Sequence, residues 1–394
     1  MDLTRIQEAL RRRGLGGWLL CDFHNRDPLG YRVMGIDGSK FTSRRWFYFI
    51  PVQGEPTAVV SRVEPARLTG VRGTQVFYRS WRELHATLGG VLAGARRVAM
   101  SYSPMNNIPY VAFTDAGTVE LVRSLGVEVV SSADLVQEFQ SLLSPETFAT
   151  HVRAGELIQG IKDEAFAFIG AKVGAGERIT EHEVQQLILR RFDDEGLDCM
   201  GELPIVGVND HPANPHFEPT AENTYVIRKG DTLLIDLWAK LATPGAVFYD
   251  ITWCGFVGTD PPRKYVEIFD VVCRARDACL DFINERLRAT GSCRGCDADD
   301  ACRKVVVDAG YGDAFVHRTG HSIGEEVHWT GANIDNLETK DERELVPGCC
   351  FSIEPGIYLD GEMAVRTEID GFVREDGQVA VVGDIQRELV LLDV

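Results

Sequence analysis

No run of the 394 residues is long, apolar and uncharged enough to cross a bilayer. The N-terminal MDLTRIQEALRRRG has the pattern of an amphipathic helix, with no apolar core behind its charges. Both absences point to a cytoplasmic protein. Positive charge is scarce too: 41 Lys and Arg stand against 59 Asp and Glu, a formal net charge of −18. Nucleic acid and anionic membrane repel such a surface and are excluded as partners. No second CxxC accompanies the CRGC of Cys293 and Cys296, so a structural zinc there is set aside, even with Cys302 nearby. The ten cysteines of a large chain without a secretion signal are read as reduced thiols.

What is present is length and apolar content, 394 residues of which 44% are apolar, more than one core usually serves. Two domains are expected, 1–143 and 144–394. In the first, Ile6 and Leu10 share a helical face, Gly14 ends that helix and GWLLCD reads as a buried strand. Strands at WFYFIPV, PTAVVSRV, QVFYRSW, RRVAMSY and VEVVSS, with a helix at VELVRSLG, make a mixed α/β domain. It holds no catalytic cluster: His24 and His85 are isolated, and Arg44 and Arg45 read as a charged strand end.

Ser144-Pro145 pairs an N-cap with a proline at the first helical position, opening a long helix to about Val173. Thr180 to Glu183 form a capping box that starts a second helix ending near Asp194, and strands follow from Leu203 to Val257. A long helix from Pro261 to about Arg288, a shorter one from about Ala298 to Ala309, and strands to the end repeat the order. A duplicated half-domain is expected, with a site between its halves.

The segment Phe315 to His328, FVHRTGHSIGEEVH, concentrates His317, His321 and His328 in a glycine-interrupted stretch that cannot be helical throughout. Four carboxylates flank it: Asp236 in LLIDLW, Asp250 in FYDITW, Glu354 in FSIEPG and Glu368 in VRTEID. Each lies in or beside an apolar, β-branched run, where an unpaired carboxylate is costly and a bound cation would resolve the cost. Pro244-Gly245 reads as the turn that brings Asp236 and Asp250 together, with Phe248, Asp250 and Thr252 on one strand face. A two-residue turn at Asp360-Gly361 would set Glu368 opposite Ile353, beside Glu354, with Arg366 on the same face as Glu368 to hold a carboxylate.

The order Asp, Asp, His, Glu, Glu, set in DITW, GHSIG…VH, EPG and R-x-E, resembles the M24 metallopeptidases: prolidase, aminopeptidase P and methionine aminopeptidase. The resemblance implies a pita-bread catalytic domain, α/β (α+β) with pseudo-twofold halves, behind a smaller creatinase-like N-terminal domain. It implies two divalent ions, manganese first, with cobalt, zinc or iron as alternatives, acting on a shared water. Asp236 would chelate one ion and His321 and Glu354 the other, with Asp250 and Glu368 bridging. Glu354 would be the general base, His328 the donor to the developing oxyanion, and His216 would lie near the leaving side of the bond. His317 would line the proline pocket, and Arg366 and Thr252 would support the ligands. His211 lacks the family context of His216 and is read as a surface residue. One departure stands out: family members usually carry a tyrosine shortly after the first aspartate, where this chain has DLWAKLATPG with Leu241.

The implied activity is hydrolysis of the bond before proline in short proline-containing peptides, Xaa-Pro dipeptides first, by a homodimeric enzyme. An Xaa-Pro aminopeptidase acting on longer peptides is the alternative. A non-peptide C–N hydrolase and a non-catalytic binding module on the same fold are the rivals from other classes.

Overall fold

The computed structural model describes residues 1–394, which form two compact units, Met1–Gln140 and Ser141–Val394. The first begins with α1 (Leu3–Arg12), capped by the Asp2 carboxylate on the Arg5 N–H, its Ile6 and Leu10 buried. Strand β1 (Gly17–Asp22), helix α2 (Pro28–Met34), and strands β2 (Trp46–Pro51), β3 (Thr57–Ser61) and β4 (Thr74–Tyr78) follow. Then come α3 (Trp81–Val91), β5 (Arg97–Met100), α4 (Ala116–Ser124), β6 (Glu128–Ser131) and α5 (Ala133–Val136). The six strands form one sheet in the order β4-β3-β2-β1-β5-β6, antiparallel at β1–β2 and β2–β3 and parallel elsewhere. Alternate residues of β1 enter opposite cores: Trp18 and Leu20 pack with α1 and α2, and Leu19 and Cys21 with α3 and α4.

The second unit opens with α6 (Pro145–Gly174), where Ser144 and Thr147 satisfy each other's backbone N–H, and α7 (Glu181–Glu195), where Thr180 and Glu183 do the same. Strands β7 (Leu197–Asp198), β8 (Ile205–Val208), β9 (Thr232–Leu241) and β10 (Tyr249–Phe256) come next. The second run is α8 (Arg263–Thr290), β11 (Cys293–Arg294), α9 (Gly295–Asp308), β12 (Glu344–Leu345), β13 (Cys350–Ile353), β14 (Gly356–Leu359), β15 (Met363–Arg366), β16 (Ile369–Val373), β17 (Val379–Val382) and β18 (Val390–Leu391). Helices α6 and α7 bury one core against β8–β10, while α8 and α9 bury another against β13–β16. A long helix, a shorter helix and strands thus occur twice.

Three strand pairs of this unit position the acids. Strand β9 pairs with β10 and sets Asp236 opposite Thr252. Strand β13 pairs with β16, Ile353 opposite Ile369, and β14 pairs with β15, Gly356 opposite Arg366. The register runs unbroken across both pairs, so Glu354 and Glu368 are opposite one another. This corrects the expected pairing of Glu368 with Ile353. A two-residue type I′ turn needs positive φ at both central positions, whereas here only Gly361 adopts it (φ 69°), and the loop takes three residues, Asp360 to Glu362.

Candidate metal centre

The histidine-rich segment contains no helix: it runs beside β13 through residue 323 and then bends over residues 324–328. Its residue 319 carbonyl accepts from the Glu354 N–H at 2.7 Å and its residue 321 carbonyl from the Ser352 N–H at 2.9 Å, which lays it along β13. The approach requires Gly320, where a Cβ would lie 2.0 Å from the Ser352 carbonyl oxygen. His321 is thereby delivered among the carboxylates. Its Nε2 stands 3.6 Å from Asp250 Oδ2 and 3.3 Å from Glu354 Oε1.

Asp250, His321 and Glu368 each offer one ligand atom, all within 4.8 Å of one another. Asp236 joins them through Arg366, whose guanidinium contacts Asp236 Oδ2, donates to Thr252 Oγ1 at 3.0 Å and donates to the Tyr358 hydroxyl at 2.8 Å. The Thr252 hydroxyl in turn donates a hydrogen bond to Glu368 Oε2 at 2.8 Å, and Ser352 donates to Glu354 Oε1 at 3.1 Å. Every acid in the cluster is buried or nearly so.

Burial raises the Asp236 carboxyl against the pull of Arg366, and it pushes Asp250 and Glu368 well above the ordinary carboxylate range, where the neighbouring acids add to the shift. Burial also drives Glu354 up to about 7, against the opposing charges of Arg366 and Arg318. The imidazoles move the other way. Desolvation by the surrounding protein holds buried His321 well below its usual range, half-buried His317 at about 3 and His328 at about 4 although that residue is exposed, so all three are neutral near pH 7.

This donor set suits divalent cations. Asp236 Oδ1, Asp250 Oδ1 and Glu368 Oε1 are buried with no hydrogen-bond partner. Such oxygens cost about 1–3 kcal/mol each if left uncompensated, and more when charged. His321 gives its Nδ1 proton to the Ser322 carbonyl at 3.3 Å, which leaves the Nε2 lone pair facing carboxylate oxygens. Lone pair against lone pair is repulsive unless a cation lies between them.

The remaining histidines occupy different settings. His328 lies edge-on to His321, ring centroids 4.4 Å apart. His317 donates from Nδ1 to the Arg318 carbonyl at 2.7 Å and receives the Tyr358 hydroxyl on Nε2 at 2.7 Å. His216 is exposed, on a loop fixed by its own N–H to Asn214 Oδ1. His211 is not the surface residue expected. It stacks on Tyr225 at 3.6 Å and pairs with the buried Glu181 carboxylate at 2.9 Å. That acid needs a partner, which is why the imidazole turns inward.

Sequence reasoning passed over Tyr358, Ser352, Asp370 and His151. Tyr358 was within reach, because positions 354, 356 and 358 alternate onto one face. Tyr249, adjacent to Asp250, points away and bonds Gln159 and the Val382 carbonyl instead.

Residues 151–375 match the family model for metallopeptidase family M24. The chain belongs to that family. A protein of Mycobacterium tuberculosis named Probable dipeptidase PepE is 27% identical over 372 residues, 93% of this chain and 91% of its own. The Xaa-Pro dipeptidase of Lactobacillus delbrueckii subsp. lactis is 34% identical over 173 residues, 44% of this chain and 42% of its own. The crystal structure of dipeptidase PepE from Mycobacterium ulcerans superposes with a TM-score of 0.69 at 26% identity, covering 100% of this chain and 97% of that one. In this mixed α/β M24 member the unit Ser141–Val394, with its twice-repeated helix and strand order, has the pita-bread fold, and Met1–Gln140 is the smaller mixed α/β unit before it. M24 members are metal-dependent, and Asp250, His321 and Glu368 form a buried group able to hold an ion. No helix is long and apolar enough to cross a membrane.

Proposed function

We propose that this M24 peptidase hydrolyses the peptide bond preceding proline, with Xaa-Pro dipeptides as substrates, using two divalent ions. The observation that carries the proposal is the convergence of Asp250, His321 and Glu368 around three buried, unpartnered carboxylate oxygens. Asp236 would hold one ion, His321 and Glu354 the other, with Asp250 and Glu368 shared; hard oxygens with one nitrogen suit manganese, cobalt, zinc or iron. When bound, the ions supply an activated water and polarise the scissile carbonyl.

The chain's own groups do the rest. Glu354, oriented by the Ser352 hydroxyl and slightly exposed, is the general base and later returns the proton to the departing nitrogen. His328, solvent-exposed but kept neutral by the desolvation that lowers its pKa to about 4, presents an N–H to the carbonyl oxygen as that oxygen gains charge. His317 and Tyr358 form one polar wall for the proline side, and exposed His216 stands toward the leaving group. Arg366 and Thr252 fix Asp236 and Glu368.

The names of the relatives favour a dipeptidase over an aminopeptidase P. The unit Met1–Gln140 is read as the creatinase-like domain, in a cytoplasmic homodimer. The test is hydrolysis of Xaa-Pro and Xaa-Pro-Yaa by metal-stripped protein, before and after Mn²⁺, Co²⁺ or Zn²⁺ is added. Cleavage of the dipeptide alone is expected. Equal or better cleavage of the tripeptide would make the enzyme an aminopeptidase P, and no metal-dependent cleavage of either would reject the peptidase reading.

A further inference from the structure

Strand β10 carries Asp250 and Thr252, yet one of its edges has no neighbouring strand over most of its length. The other edge is fully paired with β9 from Tyr249 to Phe256. On the open edge, β18 joins only at Gly255 and Phe256. The even-numbered residues therefore present backbone groups that single partners must satisfy one at a time. His151 Nδ1 donates to the Phe248 carbonyl. The Asp250 N–H donates to Asp370 Oδ2 at 2.8 Å. The Thr252 carbonyl accepts from the Glu368 N–H at 3.1 Å. Gln386 then serves both the N–H and the carbonyl of Cys254, at 2.9 and 2.6 Å.

Among these partners Asp370 is the costly one. Its side chain is fully buried and its Oδ1 has no hydrogen-bond partner. Residue 370 lies on β16, in a different sheet from β10, so its side chain reaches across to an amide that main chain does not meet. His151 supports it from α6: the ring is fully buried, and its Nε2, also without a hydrogen-bond partner, is 3.9 Å from Asp370 Oδ2.

Asp370 and Glu368 thus grip β10 at two successive points, the N–H of residue 250 and the carbonyl of residue 252. The residues so tied are the two read as shared between the ions. We propose that Asp370 is a positioning residue for the metal pair, fixing the spacing of the Asp250 and Glu368 carboxylates through its hydrogen bond to the Asp250 main chain. This rests on the metal-centre reading above and adds a determinant that touches neither ion nor substrate. Outer partners of this kind typically contribute about 10–100-fold in metal affinity.

The test is Mn²⁺ titration of the full-length, metal-stripped chain by calorimetry, together with the electron paramagnetic resonance spectrum of the loaded protein. Asp370→Asn keeps an acceptor for the Asp250 N–H and removes the charge. Asp370→Ala and Asp370→Leu remove the acceptor, the latter while filling the volume. Asn is expected to retain the wild-type affinity and the spin-coupled spectrum of a manganese pair. Ala or Leu is expected to bind about tenfold more weakly or worse and to lose that coupling. Three results would overturn the assignment: wild-type Mn²⁺ binding in a folded Ala or Leu variant, an Asn variant as impaired as Ala, or an Asn variant that folds while neither Ala nor Leu does. The last would make the hydrogen bond a requirement of folding rather than of ion spacing. A wild-type chain that binds no ion would fail earlier, at the metal-centre reading itself, and take this assignment with it.

Discussion

The Tyr358 hydroxyl meets His317 Nε2 at 2.7 Å, and because His317 has already given its Nδ1 proton to a carbonyl, the phenol must be the donor in this contact. The same oxygen accepts from Arg366 at 2.8 Å, so polarity runs in one direction, from Arg366 through Tyr358 to His317. Asp236, on the far side of Arg366, is thereby coupled to the wall proposed to face proline.

Tyr358→Phe breaks that chain at both ends. The Arg366 N–H and the His317 lone pair each lose a buried partner, at about 1–3 kcal/mol. A fall in kcat/KM of about tenfold to a hundredfold is expected on an Xaa-Pro dipeptide. A variant within twofold of wild type would show that the chain has no bearing on turnover.

Glu354→Gln separates proton transfer from architecture. The amide keeps an oxygen for the Ser352 hydroxyl, which now donates to the Glu354 carboxylate at 3.1 Å, so the fold should persist. Turnover should drop by about 10²–10⁴-fold, the usual contribution of a positioned acid or base. Undiminished cleavage, with an unchanged circular dichroism spectrum, would remove Glu354 from its proposed role.

How far these roles were readable beforehand depended on how local they are. The hairpin carrying Asp236 and Asp250 follows from alternation in LLIDLW and FYDITW, and the acids of FSIEPG and VRTEID can be joined by counting across a turn. That count slipped by one residue because it assumed positive φ at both Asp360 and Gly361, when only the glycine has it. His151, Asp370 and His211 were beyond reach for a different reason. Their partners lie 97, 120 and 30 residues away in sequence, and no periodicity marks which buried acid or amide a distant side chain will meet.

Removal of divalent ions should destabilise the second unit specifically. With Asp236, Asp250 and Glu368 pressed together, the folded state carries mutual repulsion that a bound cation cancels. Any ion that binds only the folded chain adds stability in proportion to its occupancy, about 2.7 kcal/mol at a hundred times its dissociation constant. Chelation is therefore expected to lower the unfolding temperature and added Mn²⁺ to restore it, with hydrogen exchange changing in β9, β10 and β13 to β16 and not in β1 to β6. Equal loosening of both units would contradict a site built wholly from the second.

Asp27, in the first unit, gives a pH dependence independent of any ion. Its carboxylate caps α2 by accepting the Leu29 and Gly30 N–H groups and receives the Ser101 hydroxyl at 2.6 Å. Burial nevertheless dominates and raises it from 3.8 to about 6. Between those values the folded chain keeps a proton that the unfolded chain has lost. Stability therefore falls as pH rises through the window and is fully regained below about pH 4. Roughly two units correspond to on the order of 3 kcal/mol. Protection of the α2 amides, corrected for intrinsic exchange, should accordingly be greater at pH 5 than at pH 7. Asp27→Asn keeps an acceptor for the helix amides and cannot titrate, so it should flatten that slope. A slope unchanged in the Asn variant would assign the effect to some other group.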